Sequence, residues 1–156
     1  MSDVTDYSET CARLAEAAVD RGVHIAVAES LTGGNLASEL SKAPEAGTWF
    51  RGGVIAYHED VKFGLLEVPE GPVVSEPAAH AMAATTAKLF DAEIVVAVTG
   101  EAGPEPDEAA AGTVWFGLDN RGRVSTSRKE FDGEPEEVLA QTIGHALELI
   151  GTCLEV

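Results

Sequence analysis

Basic side chains are scarce in this sequence. Four lysines (Lys42, Lys62, Lys88 and Lys129) and six arginines stand against 27 acidic residues in 156, a formal charge of −17. Neutralising the phosphates of a nucleic acid takes a basic face, and none is visible, which argues against direct nucleic-acid binding. Cysteine is limited to Cys11 and Cys153, with no second Cys or His at metal-ligand spacing. That argues against a zinc site and reads as two small buried apolar residues in a reducing compartment, although packed terminal helices would bring them together. Long apolar runs are absent too. None approaches the ~18 residues of a membrane span, and the start MSDVTDYSET lacks the basic and apolar regions of a signal peptide. The expectation is a soluble cytoplasmic protein with no membrane partner. An acidic, lysine-poor surface is also a halophilic trait, since high salt screens the self-repulsion of such a charge.

What is present suffices for one folded domain over residues 1–156. Hydrophobic residues make up 45% of the chain, and at this size roughly 70% of the unfolded surface is buried on folding. Residues 8–20 place Cys11, Leu14, Ala15, Ala18 and Val19 on one helical stripe closed by Arg21-Gly22. VHIAVAE (23–29) reads as a buried strand, followed by the turn SLTGG and a helix from Asn35 to Lys42. GGVIAY (52–57) is a second strand, with a short helix over 59–66 that Pro69, Gly71 and Pro72 end. Ser75, Glu76 and Pro77 start a long Ala-rich helix reaching Phe90. EIVVAVTG (93–100) is a third strand, and 100–112 is a loop. TVWFGLDN and RVSTSRKEF form a hairpin, and a helix over 135–154 closes the domain. This alternation predicts an α/β fold, a three-layer α/β/α sandwich with a mixed, mostly parallel sheet. The apolar stripes of the terminal helices could also serve a homo-oligomer.

Three segments can carry chemistry. Ser30 sits on a strand-to-helix turn, where open α/β sheets place ligands, and the backbone N–H groups from Leu31 through Thr32, Gly33 and Gly34 can face a phosphate or an oxyanion. The alternative is that Ser30 or Thr32 caps the helix and the glycines permit the turn. In Tyr57-His58-Glu59-Asp60-Val61-Lys62, a lysine near a strand end can act as a base when burial lowers its pKa, or can form a surface ion pair with Glu59. His58 reads as a helix start or a second base, and Tyr57 as a proton relay or a core-edge ring. Thr99, Gly100 and Gly103, past the third strand, reach the same rim and read as ligand contacts or as a plain turn.

Taken together, AESLTGG (28–34), TWFRGGVIAYHEDVK (48–62), VSEPAAHAMA (74–83), VAVTGEAGP (96–104) and GTVWFGL (112–118) resemble, in order, the CinA C-terminal domain family. Its enzymatic members are nicotinamide-nucleotide amidohydrolases. The resemblance implies hydrolysis of a carboxamide, that of nicotinamide mononucleotide, giving nicotinate mononucleotide and ammonia without cofactor or metal. It implies Ser30 as nucleophile, Lys62 as general base, Tyr57 as supporting relay and the Leu31–Gly34 amides as the oxyanion site, with a pyridine nucleotide as small-molecule partner. The chain departs from the family pattern in two motifs, and its segment between Lys62 and Ser75 is also shorter than usual. The loop GPEPDEAAAGTVW lacks the paired glycines and the Lys-Pro. Gly133-Glu134-Pro135 and Val138-Leu139 stand where the family has arginines, removing a charge-assisted partner for a phosphate. Arg121, Arg123, Arg128 and Lys129 could replace them or could guard an edge strand. The competing reading is a degenerate, non-catalytic member that binds a nucleotide or a protein partner at this rim.

Overall fold

The computed structural model describes residues 5–156. Five strands form one sheet in the order β2-β1-β3-β4-β5: β1 (Ile25–Glu29), β2 (Phe50–Ile55), β3 (Ile94–Gly100), β4 (Thr113–Asn120) and β5 (Arg123–Glu130). β1 pairs in parallel with β2 and with β3, whereas β3–β4 and β4–β5 are antiparallel. Four of the five strands therefore point the same way, and the antiparallel pairings are confined to the hairpin side.

Every residue of β1, and of β3 up to Thr99, is buried, because helices cover both faces; this is why these strands read as continuous apolar runs. One layer holds α1 (Ser8–Arg21), α2 (Asn35–Ser41), α3 (Ala46–Trp49) and α6 (Pro135–Leu154). It packs on Ile25, Val27, Ile94, Val96, Val98, Val114 and Phe116. The other layer holds α4 (Glu59–Gly64) and α5 (Glu76–Phe90), over Ala26, Ala28, Val95 and Ala97. The alternation of odd and even positions between the two faces follows from the two-residue repeat of a strand.

The helix starts follow their caps. Ser75 Oγ accepts from Ala78 N–H at 3.3 Å ahead of α5, and Glu134 and Glu137 form a reciprocal capping box ahead of α6. The second strand begins at Phe50 and ends at Ile55, earlier than the expected 52–57. The short helix α3 precedes it, too brief to leave a periodic signature.

The stripe of α1 is used inside the monomer. Cys11, Leu14, Ala15 and Ala18 share one core with Ile143, Ala146, Leu147, Ile150 and Leu154 of α6, and Tyr7 Oη donates to Ala140 O at 2.7 Å. Those stripes are thus not free for a second copy. Both cysteines are free, and burial pushes the Cys11 thiol up to about 11. No helix among the described residues is long and apolar enough to cross a membrane.

The small residues of α5 let its backbone come close to the sheet. A Cβ on Gly117 of β4 would stand 2.1 Å from Ala79 O, inside any allowed contact. Gly117→Ala should therefore cost about 1–3 kcal/mol, the usual scale of overpacking. Urea unfolding of both proteins at one fixed KCl concentration measures it, and an unchanged midpoint would show that α5 can move away without penalty.

Candidate active site

The carboxyl ends of the three parallel strands make one rim. Glu29 is in register with Ile55, and Ala28 with Ala97, so the chain leaving β1 at Ser30, β2 at Ala56 and β3 at Thr99–Gly100 exits on the same side. Ala56 N–H donates to Glu29 O at 2.7 Å, extending the β1–β2 ladder by one step.

Ser30 opens a tight turn. Gly33 N–H returns to Ser30 O at 3.1 Å, and Gly33 and Gly34 both take positive φ, 57° and 99°, which glycine adopts without a Cβ penalty. Ser30 is 6% exposed, and its hydroxyl has no hydrogen-bond partner among the described residues. It does not cap α2. That position is served by Glu29, whose side chain accepts from Thr32 Oγ1 at 2.5 Å and from Gly34, Leu36 and Ala37 N–H at 3.2, 3.0 and 2.9 Å. The amides of Gly33 and Gly34 are therefore used within the turn. Those of Leu31 and Thr32 find no acceptor among the described residues and are the ones left for a ligand.

Lys62 lies on the inward face of α4, one turn before the buried Leu66. His58 starts this helix by accepting Asp60 N–H on Nδ1 at 3.1 Å, which fits its reading as the helix start. At 3% exposure, Lys62 forms neither a hydrogen bond nor an ion pair among the described residues, so the surface pair with Glu59 is not formed. Burial pushes its ammonium pKa below the ordinary 10.5, while Glu108, Glu101 and Glu59, in that order, pull it back up. Lys62 and Ser30 are not hydrogen-bonded to each other.

The loop after β3 closes over the neighbouring segment. Glu101 N–H donates to Thr113 O at 2.9 Å and Gly112 N–H to Glu101 O at 2.7 Å, which pinch its base. Gly103, at φ 86°, packs against Ala111 inside it. The Glu108 carboxylate accepts from Val73 and Val74 N–H at 3.0 and 2.5 Å, and the buried Thr99 hydroxyl donates to Val73 O at 2.6 Å. Thr99 is thus a strut for residues 72–75, its proton already committed. Burial raises the Glu101 carboxyl above its usual pKa. A backbone hydrogen bond from Glu108 opposes this, and the charges of Asp107 and Glu108 reinforce it.

Tyr57 is not drawn into the Ser30–Lys62 region. It is 73% exposed, and its hydroxyl has no partner among the described residues. The basic residues considered for a phosphate divide similarly. Arg121 and Arg123 lie at the β4–β5 turn, beside the amino end of β3, because Asn120 pairs with Ile94. Arg128 is paired with Glu130 on the exposed edge strand. A groove of about 710 Å³ opens elsewhere, lined by Tyr7, Asn35, Ser38, Glu39 and Lys42 among others, and none of Ser30, Tyr57 or Lys62 borders it. Among the described residues no group of three His, Cys, Asp or Glu side chains is arranged to hold a metal ion.

Two residues of this region escaped the sequence reading, Glu29 and Glu108. The only available signal for Glu29 was a carboxylate ending an otherwise apolar buried run. Glu108 had none, its partners lying 34 and 35 residues away.

A nicotinamide-nucleotide amidohydrolase, PncC, of Pseudomonas putida is 37% identical over 131 residues, 80% of this chain and 82% of that protein. A CinA-like protein of Frankia casuarinae is 37% identical over 138 residues, 85% of this chain but 32% of its own length, so the chain spans about a third of such longer relatives. The crystal structure of a competence-damaged protein (CinA) superfamily member from Klebsiella pneumoniae superposes with a TM-score of 0.92 at 34% identity, over 97% of this chain and 99% of that one. The model of the CinA C-terminal domain matches residues 8–154, and the chain belongs to that family.

Proposed function

We propose that this protein is an amidohydrolase that converts nicotinamide mononucleotide to nicotinate mononucleotide and ammonia, with Ser30 as nucleophile and Lys62 as its base. The observation that carries the reading is the pair itself. The Ser30 and Lys62 side chains, largely buried, stand at one rim, and neither polar end has a protein partner among the described residues. Both ends still reach solvent, where a ligand can meet them, and a lysine whose pKa is lowered by burial beside a serine turn at a strand-end rim marks a candidate site. The 37% identical amidohydrolase of P. putida supports the choice of reaction.

The chemistry follows from the groups present. Neutral Lys62 takes the Ser30 proton as Oγ bonds to the carboxamide carbon, and the carbonyl π electrons move onto oxygen. The Leu31 and Thr32 amides are the available donors for that oxyanion. Its collapse breaks the C–N bond, and Lys62 returns the proton so that ammonia leaves. Water then attacks the acyl-serine with Lys62 again as base, giving the carboxylate and restoring Ser30. The exposed Tyr57 hydroxyl has no partner among the described residues and is left for the substrate in the supporting-relay role.

One observation favours a second reading, a binding module without turnover. The charges around Lys62 are Glu108, Glu101 and Glu59, and neither Arg121 nor Arg123 is at this rim to pair with a phosphate. The deciding experiment is ammonia release from nicotinamide mononucleotide by the purified protein in molar KCl. Release that depends on Ser30 is expected of the enzyme. A ligand-induced rise in melting temperature with no ammonia is expected of the module.

A further inference from the structure

We infer that Glu29 is a positioning residue that selects which amides of the Ser30 turn face the substrate. This rests on the amidohydrolase reading above. Glu29 is fully buried at the end of β1 and directly precedes the nucleophile. Its two carboxylate oxygens take three backbone N–H groups and one hydroxyl, from residues 32, 34, 36 and 37. Its own carbonyl takes Ala56 N–H from the segment that leads to Lys62. One residue thus ties the nucleophile's turn, the start of α2 and the approach to α4 to a single point.

The consequence for chemistry is in the count of donors. In the turn from Leu31 to Gly34, the Gly34 amide points inward to Glu29 and the Gly33 amide to Ser30 O. The Thr32 side chain is pinned inward by its hydroxyl, while the Leu31 and Thr32 amides stay unpaired beside Ser30. A turn held less firmly could rotate either amide away from the oxyanion, and a displacement of about 1 Å in such a site costs on the order of 100-fold in rate.

The isosteric change Glu29→Gln keeps the volume and removes an acceptor. Whichever way the amide is flipped, its NH2 group faces a backbone N–H: that of Ala37 on one side, or those of Gly34 and Leu36 on the other. The turn must shift to relieve this. Thr32→Val removes the hydroxyl donor to the same carboxylate, and Thr32→Ser restores it.

The test is steady-state ammonia release by wild type and these variants in molar KCl, normalised to the folded fraction and read as kcat and KM separately, with amide hydrogen exchange by NMR. The expected result is a fall in kcat of at least ~10-fold for Glu29→Gln with KM within about threefold, the signature of an interaction realised in the transition state. Thr32→Val follows in the same direction, and Thr32→Ser recovers most of the loss. Wild-type kcat per folded molecule in Glu29→Gln would make Glu29 a helix cap alone and overturn the assignment. If wild type itself releases no ammonia, the amidohydrolase reading fails, and hydrogen exchange still decides Glu29. Faster exchange at Gly34, Leu36 and Ala37 in Glu29→Gln supports its hold on the turn, and unchanged protection there overturns it.

Discussion

If Ser30 is the nucleophile proposed above, replacing it by alanine should lower turnover of nicotinamide mononucleotide by about four orders of magnitude or more, the scale on which removal of a nucleophile abolishes covalent catalysis. The substitution should leave the fold intact. Its hydroxyl makes no intramolecular hydrogen bond among the described residues, so no partner is left unsatisfied, and the turn is held by Glu29 and by the Gly33 N–H to Ser30 O bond, neither of which uses the side chain. Ammonia release and the melting curve, measured on the same preparation, check both halves. A Ser30→Ala protein that melts like wild type and still turns over would transfer the nucleophile's role elsewhere.

The second large effect is expected at Lys62. Lys62→Met keeps the aliphatic stem and removes the base, and should cost turnover at least ~100-fold. Because burial lowers the Lys62 pKa from its ordinary 10.5, wild-type kcat/KM should rise with pH as this amine loses its proton, with a midpoint below that value. The variant should lack the rise. The stability consequence has a definite sign. A lysine whose folded pKa lies below its unfolded one leaves the unfolded chain holding more protons in the window between the two, so wild-type stability increases with pH across that window. Below the unfolded pKa that downward shift is a cost to the folded state, and Lys62→Met removes it. The variant should therefore melt no lower than wild type at neutral pH while being nearly inactive. Urea unfolding across pH reads this, and a strongly destabilised Lys62→Met would mean that the amine is held by contacts important to the fold. If Lys62→Met retained full activity, His58 would become the better base, although its Nδ1 is committed to the Asp60 N–H.

Much of the architecture was legible because local physics and global burial agree. The runs 23–29 and 93–100 are apolar throughout, since helices cover both faces of β1 and β3. α5 was legible from Ser75 and Pro77 at its start, and α6 from Pro135 and its apolar spacing. The hairpin was legible from its turn residues and its alternation. α3 was missed because four residues carry no period, and the start of β2 was placed late because an edge strand with two glycines has a weak pattern.

The site was legible in part and for a different reason. Ser30 and Lys62 stood out as reactive groups at strand ends, and a parallel sheet brings strand ends together whatever the details of packing. Residue types and their order along the chain were enough to name the family and the layers and to propose this pair. They could not say that Lys62 is buried, since the same residue beside Glu59 would be an ordinary surface cation if α4 were turned outward. Nor could they say which turn amides remain free, which depends on a carboxylate one position earlier finding four donors at once, or that Glu108 reaches back over more than thirty residues to Val73 and Val74. Burial and hydrogen-bond closure are properties of groups distant in the chain, so they come into being only when the layers pack, and they turn a list of candidate side chains into a site.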